Sequence, residues 1–126
     1  EELRSFEYSQ RLRDMSRNVL AAEGGSTGQR LYTGAARGGA QALDRNAGEV
    51  APGRLADLVA IDRNAPALCA LSDAQLLDGL CFAAGEGVVT DLWSAGRHMV
   101  RQGRHVAREA ITPAYRKAVA DLLAAI

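Results

Sequence analysis

The sequence predicts an α+β domain, and three features carry that expectation. Leu58-Val59-Ala60-Ile61 is a short, partly β-branched run between a Pro52-Gly53 turn and Asp62-Arg63-Asn64, which favours a strand over a helix. Val88 to Ser94 and His98 to Arg101 flank Ala95-Gly96-Arg97 as strand, turn and return strand. Before, between and after these runs, apolar residues recur at helical spacing.

Taken in order, residues 1 to about 22 predict a helix, with Leu3, Phe6, Tyr8, Leu12, Met15 and Val19 as its apolar stripe. Glu1 and Glu2 lie at the positive end of its dipole, and Arg11, Arg13 and Arg17 load the negative half. The opening Glu1-Glu2-Leu3 is already helical in pattern, without an initiating Met or a capping residue, which suggests a piece of something longer. Glu23-Gly24-Gly25-Ser26 breaks the pattern, and Thr27 is the expected cap of a second helix over Gly28 to Leu43. That helix contains Gly28, Gly34, Gly38 and Gly39. Each interior glycine costs about 1 kcal/mol relative to Ala, so another backbone is expected close along this face.

The central strand is expected over Leu55 to Asp62, buried on both faces, because a continuous apolar run has no solvent side. Ser72 and Gln75 have capping-box spacing ahead of a helix carrying Leu76, Leu77, Leu80, Cys81 and Ala84 and ending at Gly85. Gly96 and Gly103 occupy turn positions that need positive φ. The hairpin strands are marginal alone and are expected beside the Leu55–Asp62 strand. Thr112 and Pro113 predict the start of a last helix reaching Ile126, with Tyr115, Val119, Leu122, Leu123 and Ile126 on its apolar side.

Composition narrows the function classes. The 126 residues hold 15 basic and 15 acidic side chains, so no net field favours nucleic acid or an anionic membrane. All the basic residues but Lys117 are arginine. No apolar run is long enough for a membrane span, and nothing resembles a signal peptide, so a cytoplasmic location is expected. Cys69 and Cys81 lack metal-ligand spacing and read as buried free thiols rather than a disulfide.

The search for chemistry yields little. Arg11, Arg13, Asp14 and Arg17 are one candidate anion patch, with a solvated face of Arg–Asp pairs preferred. Gly34 and Gly38-Gly39 echo a phosphate cradle, but no strand precedes them and no Gly-Lys-Ser/Thr follows. His98 and His105 are seven residues apart and read as rim histidines. Ser9, Ser16, Ser26, Ser72 and Ser94 have no adjacent base. Asp57 and Asp91 are conceivable paired carboxylates, yet each reads better as a solvent-facing strand flank. Trp93 reads as core or interface. By residue chemistry alone the domain is non-catalytic.

A resemblance adds to this. The stretch Pro52-Gly53-Arg54-Leu55-Ala56-Asp57-Leu58-Val59-Ala60-Ile61-Asp62 resembles the strand that follows the barrel in the metal-dependent amidohydrolase superfamily. Val89 to Arg97 and Val100-Arg101-Gln102-Gly103 resemble the hairpin of the same proteins. Glu1-Glu2-Leu3-Arg4, Glu7-Tyr8, Gln10 to Asp14, Arg17-Asn18 and Gly38-Gly39-Ala40-Gln41-Ala42-Leu43 are similar to formimidoylglutamate deiminases of bacterial histidine breakdown. Ser5-Phe6, Ser9 and Met15-Ser16 depart from that pattern. Guanine deaminase and imidazolonepropionase are siblings the pattern leaves open, and a freestanding interaction or scaffold domain is the alternative outside enzymes.

The resemblance implies an α/β fold: the last helices of a (β/α)8 barrel over residues 1–47, strands and one helix of a small β domain over 48–111, and a terminal helix over 112–126. It also implies a zinc or other divalent metal held by an HxH pair, a further His and an Asp. The metal's hydroxide attacks the formimino carbon of N-formimino-L-glutamate, and ammonia leaves. Those ligands precede the matched segment, and this sequence contains no HxH. No catalytic, substrate-binding or metal residue is therefore assigned to any position here. Expected partners are the small-molecule substrate of the parent, the parent's preceding part and further copies of the chain.

Overall fold

The computed structural model describes residues 1–21, 23–85 and 87–125. Helices α1 (Glu2–Asp14) and α2 (Thr27–Ala42) come first, then strand β1 (Leu58–Ile61). A 3-10 turn over Asp73–Gln75 runs into α3 (Leu76–Phe82), and β2 (Val89–Ser94), β3 (Arg97–Arg101) and β4 (Arg104–His105) precede α4 (Arg108–Ala124). Helices and an antiparallel sheet are mixed, as the sequence predicts.

Helix α1 ends at Asp14, well short of the expected end, and Ala22 itself lies outside the described residues. The cause is Glu7, whose side chain is fully buried. Its carboxylate accepts the Val19 N–H at 3.0 Å, the Leu20 N–H at 3.2 Å and Arg11 Nε at 2.8 Å. Those bonds draw the chain back over the helix, which closes with Met15 at φ 50° and turns again at Asn18 with φ 51°. The apolar stripe stays open in this chain, with Leu12 77% and Met15 89% exposed.

Ser26, one residue before the expected cap, takes that role for α2 by accepting the Gln29 N–H at 2.9 Å. Helix α2 packs on α3 through Gly28, where an added Cβ would lie 2.3 Å from the Leu77 carbonyl oxygen. Asp78 Oδ1 accepts the Gly28 N–H at 2.6 Å. Among the glycines of α2 a neighbouring backbone lies this close only at Gly28, while the Gly48 backbone lies against Ala36, Arg37 and Ala40 of the same helix. A Cβ at Gly34, Gly38 or Gly39 would meet nothing within 4 Å. The expected capping box forms, with Gln75 Oε1 accepting the Ser72 N–H at 3.2 Å, and α3 stops at Phe82 before Gly85. Arg4 reaches across from α1 to the end of α3, donating from Nε to the Cys81 carbonyl at 3.0 Å and from Nη2 to the Ala84 carbonyl at 3.2 Å. The apolar residues buried here are Leu31, Leu68, Cys81 and Ala84. Cys81 is buried as expected, but Cys69 is exposed, and both are free thiols.

The strand order is β1-β2-β3-β4, antiparallel throughout, so the hairpin does lie beside the Leu58 strand. That strand is shorter than the expected Leu55–Asp62 and is an edge, with Leu58 36% and Val59 46% exposed. Burial on both faces fails because, among the described residues, no helix packs extensively over either face of it. The turns are two-residue loops. Ala95 (φ 48°) with Gly96 (φ 79°), and Gln102 (φ 48°) with Gly103 (φ 74°), give positive φ at both central positions, the geometry that matches hairpin twist.

Helix α4 begins at Arg108, ahead of the expected Thr112 cap, and contains Pro113. The early start follows the end of β4, where His105 Nδ1 accepts the Ala107 N–H at 3.1 Å. Pro113 has no N–H for the carbonyl four residues back, a bond this helix forgoes. No residue of α4 described is buried, and Ile126 lies outside the described residues.

Replacing Glu7 with Ala orphans two backbone N–H groups and Arg11, and is expected to cost about 2–3 kcal/mol in urea melts, with faster amide exchange at Val19 and Leu20. Gly28→Ala is expected to unfold the α2–α3 contact, whereas Gly38→Ala gains about 1 kcal/mol from helix propensity in the same melts. Equal effects of the two substitutions would contradict the packing described.

Candidate functional site

One cluster of polar side chains lies on the sheet. Asp91 on β2 and His98 on β3 meet with Oδ1 and Nε2 2.7 Å apart, and both are about a quarter exposed. The His98 ring stacks on Trp93, with centroids 4.4 Å apart and planes 18° from parallel. The register brings them together: Trp93 pairs with His98, and an irregularity between Leu92 and Trp93 re-aims the strand. The His98 hydrogen bond holds the Asp91 carboxyl below the usual carboxylate range, ahead of the opposing loss of solvation.

Asp57 and Asp91 are not brought to a shared task. Asp57 lies just before β1 and accepts the Ala95 N–H at 2.7 Å, while its other oxygen meets Arg45 Nη2 at 2.9 Å. Its carboxyl is held low first by the Ala95 N–H and then by Arg45. The Gly96 N–H joins this latch by donating to the Ala56 carbonyl at 2.9 Å. Neither aspartate is the plain solvent-facing flank expected from sequence: each ties strands together. The Asp57–Ala95 bond joins residues 38 apart along the chain, a separation that carries no local signal.

The remaining candidates resolve into structural roles. Ser9 Oγ donates to the Phe6 carbonyl, Ser26 caps α2, and Ser72 Oγ donates to Gln75. Among the described residues no serine or cysteine is hydrogen-bonded to a histidine. Burial pushes the Cys81 thiol up, away from reactivity. Arg13 pairs with Asp14 at 2.6 Å and Arg11 with Glu7, which removes both from any anion patch. Sequence reasoning missed Glu7, Arg4 and Asp78. The Glu7–Arg11 spacing of four was visible, but the other partners of these residues were not.

Among the described residues no three His, Cys, Asp or Glu side chains converge, so these residues offer no fitting donor set for the zinc implied by the resemblance and no chemical step is routed through it. No helix of the described residues is long and apolar enough to cross a membrane.

An Asp91 or Asp57 whose pKa falls on folding lends stability that is full above about pH 4 and is lost as pH drops through its lowered folded value. Acid titration of the fold, followed by Trp93 fluorescence, should therefore show loss below the ordinary carboxylate range. Asp57→Asn and Asp91→Asn should each flatten it; an unchanged acid limb in both would refute the latches.

No family model matches the chain. It is 44% identical over 124 residues to formimidoylglutamate deiminase of Pseudomonas aeruginosa, across 98% of this chain and 27% of the relative. A crystal structure of an amidohydrolase from Brucella melitensis superposes with a TM-score of 0.84 and 42% identity, over 97% of this chain and 27% of that one. In sequence and in fold the chain is thus a relative of formimidoylglutamate deiminase and of a solved amidohydrolase, and it spans about a quarter of the length of each.

Proposed function

We propose that this chain is the C-terminal portion of a hydrolase acting on the C–N bond of an amidine, with N-formimino-L-glutamate as substrate. Water adds to the formimino carbon and the C–NH2 bond breaks, giving N-formyl-L-glutamate and ammonia. The observation carrying this reading is the 44% identity, sustained over nearly the whole chain, to a formimidoylglutamate deiminase. A lower, patchy identity would have supported only a shared fold.

In this reading residues 1–47 close one end of a (β/α)8 barrel, 48–111 contribute to a small β domain and 112–126 form a terminal helix. Helix α3, although within 48–111, packs against α2 and α1. The divalent metal, zinc in the proposal, and the groups that activate water belong to the part of the polypeptide that precedes these residues. This chain's own share is mechanical: Glu7, Arg4 and Asp78 fix helices whose apolar faces remain open. The setting is proposed to be cytoplasmic.

Full-length polypeptide carrying this sequence should release ammonia from N-formimino-L-glutamate when supplied with zinc, and should leave guanine untouched. The 126 residues alone should release none. Ammonia from guanine but not from the formimino compound would transfer the reading to a sibling deaminase, and turnover by the 126 residues alone would overturn the division of labour.

A further inference from the structure

Helices α1 and α2 leave a cleft between them. Its volume is about 490 Å³, and small-molecule sites run from roughly 300 to 1,000 Å³. Leu31 of α2 is its buried residue. Leu3 and Phe6 face it from α1, where residues three apart share a side of the helix. Leu20 joins them from the segment that the Glu7 carboxylate draws back over α1.

Among the described residues, the one charged side chain lining this cleft is Arg30. Every other arginine of α1 and α2 is partnered: Arg4 by two carbonyls, Arg11 by Glu7, Arg13 by Asp14 and Arg37 by Glu49. Arg30 has no ion-pair partner among the described residues. On its other side lies a polar hollow of about 340 Å³, with Ser26, Gln29, Thr33 and Arg37 in its lining and no described acid. Cleft and hollow share Arg30 and Gly34, neighbours four residues apart on the surface of α2. Gly34 has no side chain to divide the two, and a Cβ there would meet nothing within 4 Å.

These features select the chemistry of an occupant. A wholly apolar one would take the Arg30 guanidinium out of water with nothing to pair it, which is costly. A cation would meet Arg30 and Arg37 alike. An apolar body that ends in an anion satisfies both walls, since a guanidinium fork matches a carboxylate and Gln29 and Thr33 carry further donors beside it. We infer that the cleft between α1 and α2 binds a small amphipathic carboxylate, its apolar body among Leu3, Phe6, Leu20 and Leu31 and its carboxylate on Arg30 beside Gly34. The site is separate from the deiminase reading, because N-formimino-L-glutamate carries no apolar body of that size.

Isothermal titration calorimetry of the full-length polypeptide with decanoate tests it. Decanol and decylammonium supply the same alkyl tail without the negative charge. Decanoate should bind one to one, and the other two at least about tenfold more weakly, the scale of one hydrogen bond to a charged group. Arg30→Gln should weaken decanoate by about the same tenfold and leave decanol unchanged. Ala35→Trp, which fills the apolar cleft, should abolish binding of both. Arg30 and Ala35 are exposed, so both variants should keep the parent melting temperature. Equal binding of the three compounds, decanoate affinity unchanged in either variant, or no decanoate binding at all would each overturn the inference. The last result is the one expected if another stretch of polypeptide or a second copy fills the cleft.

Discussion

The helical half of this chain depends on how α3 is gripped at both ends. Seven residues are too few for a helix to persist on its own propensity. Its first turn presents the Asp78 carboxylate to the Gly28 N–H, which satisfies a donor at the start of α2 and favours the positive end of that helix. Its last carbonyls receive the Arg4 guanidinium, whose charge suits the negative end. Gly28 lets the Leu77 backbone lie against α2, and Gly79 lets Leu68 and Leu71 close over α3, since a Cβ there would collide with both side chains. Tyr8 and Phe82 stack with centroids 6.1 Å apart, and the Arg11 guanidinium lies 5.3 Å from each ring, so α1 is held to α3 along its length as well as at its end.

The sheet is built by the same means at a different scale. Two-residue loops with positive φ set the hairpins, and non-glycine residues at Ala95 and Gln102 adopt a backbone that L-residues enter at a cost of roughly 1–2 kcal/mol. The Asp57 carboxylate and the Ala56 carbonyl hold the first of these turns in place from the segment ahead of β1. The loop leading there is itself laced together: the Leu55 N–H reaches the Asn46 carbonyl at 2.8 Å, and Arg54 pairs with Glu49. Polar latches between neighbouring segments fix this shape, while very little apolar area is removed from water within the chain.

Legibility followed that division. Glycine turns were readable because Gly96 and Gly103 act through their own backbone, and the order of helices and strands was readable because periodicity is local. The ends of elements were not. Helix α1 stops early because a glutamate inside it captures N–H groups twelve and thirteen residues on, and no pattern in residues 15–21 announces that. Thr112-Pro113 has the form of a helix start, yet the helix begins earlier because the chain leaves β4 already turned for it. As for a site, the sequence offered none and assigned none. The Asp91–His98 pair was visible only as two separated residues, since its geometry comes from the strand register.

The pattern that misled most is also the most informative. Leu3, Phe6, Leu12 and Met15 are spaced for burial, and Leu58 to Ile61 reads as a strand with no solvent side, but the chain leaves Phe6, Leu12, Met15, Leu58 and Val59 exposed. Periodicity reports which face of an element is apolar, and it is silent about whether the covering surface belongs to the same 126 residues. Helices positioned by buried and half-buried polar groups hold such faces in place without needing the cover to be present. Burying a large apolar side chain is worth about 1.5–3 kcal/mol, so leaving Phe6, Leu12, Met15, Leu58 and Val59 exposed forgoes that stabilisation within these residues.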